Sequence, residues 1–226
     1  SMASANSHLF AFRDEAGRIF MGASPELIFA KNKSELFIPA IAGTSIRGKN
    51  EREDLELEKK LLVSPKEQHE HALVVKFIRE KLSTMGFPLP LEQCPEILKL
   101  SGLQHLYTPH RIALEKMPSD IDPLEILRQL HPTPALCGWP QAEAHQFIKE
   151  NEAWKRGYYG APLGYYTPSG DAKFVAGIRS MLLEDDKITV FAGAGYVNGS
   201  TPEQEWQETE QKMQTILQVF DKEVLC

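Results

Sequence analysis

Cysteine is scarce: Cys94, Cys137 and Cys226 are three in 226 residues, too few and too scattered for a disulfide framework or a metal knuckle. That usage fits a reduced compartment. Long apolar runs are missing too, so no stretch is built to span a bilayer and no membrane partner is expected. Positive charge is short, with 25 Lys and Arg against 31 Asp and Glu. The net charge of −6 argues against a nucleic-acid surface, which needs a basic patch. It does not exclude a small anion in a locally positive pocket. The start, SMASANSHLF, has neither a charged n-region nor a long apolar h-region and is no secretory leader. Ser1 and Met2 look like a cloning scar, residues 1–9 are expected to be a disordered start, and 10–226 one domain. These absences predict a cytoplasmic globular protein.

What is present reads as strands in groups with helices between the groups. HLFAFRD and RIFMGAS flank the turn EAG, and LIFAK and SELFIPAIAG flank NKS, which predicts two hairpins. Helix formers run from Arg52 to Leu62, and PKEQHEHALVVKFIREKL continues at helical apolar spacing. EILKLS and LQHLYTPHRIALE are strand-like, and DPLEILRQL is a short helix. QAEAHQFIKENEAW is a further helix, and GAPLGYYT, KFVAGIRSMLLE and KITVFAGAG are three strands. The last helix has Thr201 as N-cap and Pro202 at N1. Grouped strands argue for an α+β fold of antiparallel sheets packed with outer helices.

Several clusters invite chemistry, and each has a plain alternative. Gly193-x-Gly195-x-x-x-Gly199 only approximates a dinucleotide fingerprint, and no strand follows its helix to carry a ribose-binding acid. The loop can still offer backbone N–H groups to a carboxylate. His69 and His71 lie two apart, so they do not share a helix face for a metal. Glu67 and Glu70 do share one, and from spacing alone a solvated face is the favoured reading. Glu205, Glu208 and Lys212 line another stripe, as a surface ion pair or as part of a Mg²⁺ site that keeps few protein ligands. Pro25 holds Ser24 extended and so aims Glu26, either an exposed turn acid or a general acid of raised pKa. Arg179 sits in GIRSM among apolar neighbours, as a structural ion pair or a carboxylate clamp. HPTPALCGWP, from His131 to Pro140, packs three prolines into ten residues and implies a backbone held rigid around a ligand.

Taken in order and spacing, SPELI, AIAGTSIRG, SPKEQHEHALVV, LQHLYT, HPTPALCG, KRGYYGAPLGYY, AGIRSMLL and FAGAGYVNGSTPEQEWQETEQK resemble the chorismate-utilising enzymes from about Phe10 onward. HPTPALCG is similar to the isochorismate and salicylate branch, whereas amine-transferring members carry His-Pro-x-Gly-Thr there. The resemblance implies Mg²⁺-dependent conversion of chorismate to isochorismate, with salicylate synthesis or a non-catalytic ligand-binding fragment as alternatives. It implies Glu70 and Glu208 as metal ligands with Glu67 behind them, and Glu26 as the acid that protonates the departing C4 hydroxyl. His105 matches the family's active-site histidine. Tyr159 and Arg179 match the enolpyruvyl carboxylate contacts. Gly43, Thr44, Thr133, Gly193, Ala194, Gly195 and Lys212 match further substrate contacts.

One departure has consequences. The family's general base is a lysine well upstream of the Ser-Pro-Glu motif, and here no lysine precedes Lys31. The resemblance therefore implies a C-terminal portion that binds substrate and metal but lacks the base. It also implies self-association through surfaces that a missing segment would cover. The product could serve menaquinone or siderophore biosynthesis, and nothing in the sequence chooses between them.

Overall fold

The structure, a computed structural model, describes residues 7–100, 102–115 and 121–221. Ser101, Cys226 and the first six residues, all touched on above, lie outside them. The strand β1 (His8–Arg13) begins inside the stretch expected to be a disordered start, because it pairs along its whole length with β2 (Ile19–Ser24). Then come β3 (Leu27–Lys31), β4 (Glu35–Ile46), α1 (Glu51–Val63), α2 (Pro65–Thr84), β5 (Glu96–Lys99) and β6 (Leu103–Ala113). The second half holds α3 (Pro123–Leu130), α4 (Pro134–Cys137), α5 (Gln141–Asn151), β7 (Pro162–Tyr166), β8 (Ala172–Ala176), β9 (Ser180–Glu184), β10 (Lys187–Phe191) and α6 (Pro202–Asp221).

All strand pairings are antiparallel, in a four-stranded sheet of order β1-β2-β9-β10 and a six-stranded sheet of order β5-β6-β4-β3-β8-β7. The α+β expectation holds. Helix α2 packs across the larger sheet, and Val74, Phe77, Ile78 and Leu82 meet Phe29, Leu36, Ile38 and Ala40 in a core that α3 completes with Ile126 and Leu130. Burying each such side chain contributes roughly 1.5–3 kcal/mol, which is what presses α2 against the sheet.

KFVAGIRSMLLE is two strands, not one. β8 ends at Ala176 in the six-stranded sheet, and β9 starts at Ser180 in the four-stranded one. The turn between them uses Arg179 at φ 50, a left-handed conformation that ordinary side chains seldom adopt. A second crossing lies beside it, where the chain leaves β2 at Ser24 and enters β3 at Leu27. Two hydrogen bonds stitch the crossings together, Ala23 N to Arg179 O at 3.1 Å and Ala176 N to Glu26 O at 3.0 Å. Glu26 and Arg179 are thus fixed where the two sheets part.

Candidate active site

The crossings form one wall of a pocket lined by Glu26, Arg179, Thr44, His105, Glu70, Tyr159, Lys212 and the loop Gly193–Gly195. Among the residues expected at the site, these ten are brought together. Gly43, Thr133, Glu67 and Glu208 stand just behind the wall, each tied to a residue that lines it.

Thr133 is the first of these, and its role differs from the expected substrate contact. Its hydroxyl donates to Glu26 Oε1 at 3.1 Å, so the proline loop steers the acid. Burial pushes the Glu26 carboxyl up to about 7, against the opposing pull of Thr133, Arg179 and Lys212. A carboxyl with that value is protonated in about half of the molecules near neutrality and can donate that proton. The exposed-turn reading of Glu26 fails on this burial.

Gly43 breaks the β4 register between Ala42 and Thr44, at φ 76, where a side chain would be strained. The bulge turns the Thr44 N–H toward helix α2, and it donates to Glu67 Oε2 at 2.8 Å. Thr44 Oγ1 meets His105 Nδ1 at 3.1 Å. His105 is buried, and burial followed by Arg179 and Lys212 pulls its pKa down to about 3. It is therefore an uncharged hydrogen-bonding imidazole at neutral pH, with no hydrogen-bond partner on Nε2 among the described residues.

The acids come from two helix starts. Ser64 ends α1, caps α2 by accepting from Glu67 N, and precedes Pro65 at N1. Glu67 is then three residues past the cap, where a capping box would turn its carboxylate back on Ser64 N. Ser64 N bonds Leu61 O instead, and the Glu67 carboxylate is released to Thr44 N and to Lys66 Nζ at 3.2 Å. Glu70 lies one turn on. Burial, then the charges of Glu208 and Glu67, push its carboxyl up to about 7. On α6 the same spacing places Glu205 and Glu208, with Glu208 Oε1 2.6 Å from Lys212 Nζ. The Glu208–Lys212 pair is no surface pair, since its side chains are 14% and 12% exposed. Nor is the Glu67–Glu70 face solvated, with the Glu67 side chain 12% exposed.

The glycines of the last loop act through space rather than through φ. A Cβ on Gly195 would come within 3.2 Å of Glu70 Oε1, and one on Gly193 within 3.0 Å of Tyr159 Oη. The absence of side chains at both positions lets the loop lie close against Glu70 and Tyr159. Tyr159 is held from its other sides by Phe191, stacked at 5.4 Å, and by Trp154 at 5.8 Å.

Three participants had little signal in the sequence. Arg156 lines the pocket while its Nη1 donates to Leu136 O in the proline loop. Lys66 and Glu205 form an ion pair of 2.6 Å that joins α2 to α6. Glu205 stood in the stripe with Glu208 and Lys212, which was a usable hint. Lys66 and Arg156 had none beyond their neighbours. Two other readings end here: His69 is exposed while His71 is buried against Thr108, and Gly193–Gly199 follows an antiparallel strand rather than a nucleotide-binding one.

The donor set can be tested against the expected Mg²⁺. Among the described residues no three His, Cys, Asp or Glu side chains are placed to hold an ion together. Glu70 and Glu208 remain as a mutually repelling buried pair, and Glu70 lacks any ion pair with an ammonium among the described residues. Two carboxylates with room for water and ligand oxygens fit Mg²⁺, which dehydrates reluctantly and keeps several waters.

Fold and pocket together define an α+β chain with a small-molecule pocket where two antiparallel sheets part. The family described as chorismate binding enzyme matches residues 2–221, and the chain belongs to that family. It is 39% identical over 205 residues to the salicylate biosynthesis isochorismate synthase of Pseudomonas aeruginosa, covering 91% of this chain and 42% of that one. It is 36% identical over 219 residues to the chloroplastic isochorismate synthase of Catharanthus roseus, covering 96% of this chain and 37% of the relative. The solved structure of DhbC from Bacillus anthracis superposes with a TM-score of 0.87 at 30% identity, covering 95% of this chain and 58% of DhbC. The chain thus spans about half the length of the relatives it matches, or less.

Proposed function

We propose that the chain carries the substrate-binding, metal-binding and acid-donating portion of an isochorismate synthase. The observation that supports this best is the meeting of Glu26, Arg179 and Glu70 in one pocket. These are a proton donor, a fixed cation and a buried acid paired with Glu208.

Arg179 and Tyr159 hold the enolpyruvyl carboxylate of chorismate, the arginine by two parallel hydrogen bonds. Mg²⁺, held by Glu70 and Glu208, neutralises the ring carboxylate when bound. Thr44, Lys212 and the Gly193–Gly195 backbone supply further contacts. Glu26, steered by Thr133, gives its proton to the C4 hydroxyl as that group leaves and water adds at C2. His105 stays neutral beside the ring and hydrogen-bonds rather than taking a proton.

Removal of the proton from the attacking water needs a base, and among the described residues no lysine of the pocket is free for that role. Lys212, the pocket's lysine among the described residues, is committed to Glu208 and to Gly193 O at 3.0 Å. Lys31 donates to Gly170 O at 2.9 Å, away from the pocket. The test is to supply chorismate and Mg²⁺ to the 226-residue chain and follow isochorismate and salicylate by mass. Binding with at most trace isochorismate is expected. Robust turnover by the chain as a monomer would overturn the missing base, and released pyruvate with salicylate would move the assignment to a salicylate synthase.

A further inference from the structure

The four carboxylates at the starts of α2 and α6 are not equivalent. Glu205 is 1% exposed, and apart from the Lys66 ammonium neither of its oxygens has a polar partner among the described residues. A carboxylate so deeply buried is costly unless a charge accompanies it. The Lys66 ammonium, 2.6 Å from Glu205 Oε1, is the charge present. The same ammonium lies 3.2 Å from Glu67 Oε1, and the other Glu67 oxygen accepts from Thr44 N. One lysine therefore occupies one acid from each helix. The other two, Glu70 and Glu208, lie one turn further on and form no ion pair with Lys66; Glu208 is paired with Lys212 on its own helix, 2.6 Å away, at the pocket's edge.

We infer that Lys66 is a resident counter-cation that decides which divalent ion the site accepts, an inference that rests on the metal role proposed above. By engaging Glu67 and Glu205, Lys66 leaves two protein carboxylates for the ion and the remaining positions for water and ligand oxygens. That arrangement suits the six ligands of Mg²⁺. Ca²⁺ takes about six to eight oxygens in a flexible shell, and it would gain more than Mg²⁺ from the further carboxylates that losing Lys66 would release. Lys66 is a positioning residue here and touches no substrate.

The experiment titrates MgCl₂ and CaCl₂ separately into the parent, Lys66→Gln, Lys66→Arg and Lys66→Gln/Glu205→Gln chains, by calorimetry and by thermal melting. Lys66→Gln should gain Ca²⁺ affinity relative to Mg²⁺ by about tenfold or more, in line with the dependence of affinity on ligand charge count. Its melting temperature should fall without metal and recover with Ca²⁺ more than with Mg²⁺. Lys66→Arg should keep the parent's preference, and the double variant should move back toward it. If Lys66→Gln does not fold in metal-free buffer, Ca²⁺ should still fold it. An unchanged Ca²⁺-to-Mg²⁺ ratio in folded Lys66→Gln, or a variant that neither ion folds, overturns the inference. A parent that binds no Mg²⁺ at all overturns the proposed function instead.

Discussion

At the scale of single residues, Glu26 and Arg179 carry the most. The Glu26 carboxyl is raised from its ordinary value to about 7, so the folded state favours the protonated form. Its contribution to stability is complete below the unfolded value near 4.5 and is lost as pH rises through 7. The full span is on the order of 3 kcal/mol at 1.36 kcal/mol per unit. Glu26→Gln should flatten that part of the melting-temperature profile between pH 5 and 8 relative to the parent. A parallel profile would show that the acid is not perturbed. In a chain that turns over, the same variant should lose about 10²–10⁴-fold in rate, the usual worth of a positioned acid. Arg179→Lys should weaken chorismate binding by roughly 1–3 kcal/mol, because an ammonium cannot reproduce a two-bond grip on a carboxylate. Unchanged affinity would return Arg179 to a purely structural role.

The elements explain why some of this was legible beforehand and some was not. The start of α6 was readable because capping chemistry is local and Thr201-Pro202 announces it. The start of α2 was passed over: helix formers ran on from residues 52–62, across the Ser64-Pro65 cap that separates the two helices. Whether the acids beyond these caps face solvent or each other was not readable, since that depends on how α2 packs across β4. Spacing alone favoured a solvated face, and the packing reversed it. The break at Gly177–Arg179 was hidden as well. Apolar residues continue through KFVAGIRSMLLE because both of its strands are buried, so alternation shows no interruption where the chain changes sheets. The opposed helix starts make a prediction at their own scale. Glu70→Gln and Glu208→Gln should each abolish metal-dependent chorismate binding, since one remaining carboxylate is too little for a hard cation. Parent-like binding of Mg²⁺ and chorismate by either variant would refute the pairing.

For the whole molecule, the site depends on both sheets and on α2 and α6 at once, while the sheet ends are left open. β1 and β10 border one sheet, β5 and β7 the other, and Leu9, Tyr165 and Ile188 on these strands are exposed. Such edges favour pairing with a second copy. Light scattering should therefore show a mass that rises with concentration, and an Ile188→Lys change should lower it. A constant monomer mass would count against edge pairing. The central claim is that this chain holds chorismate through a metal-dependent site of its own. It is tested most directly by calorimetric titration of chorismate into the 226-residue chain with Mg²⁺ and again with the metal chelated. One-to-one binding that needs Mg²⁺ is the predicted result. Absence of binding, or binding of equal strength without the metal, would contradict the account.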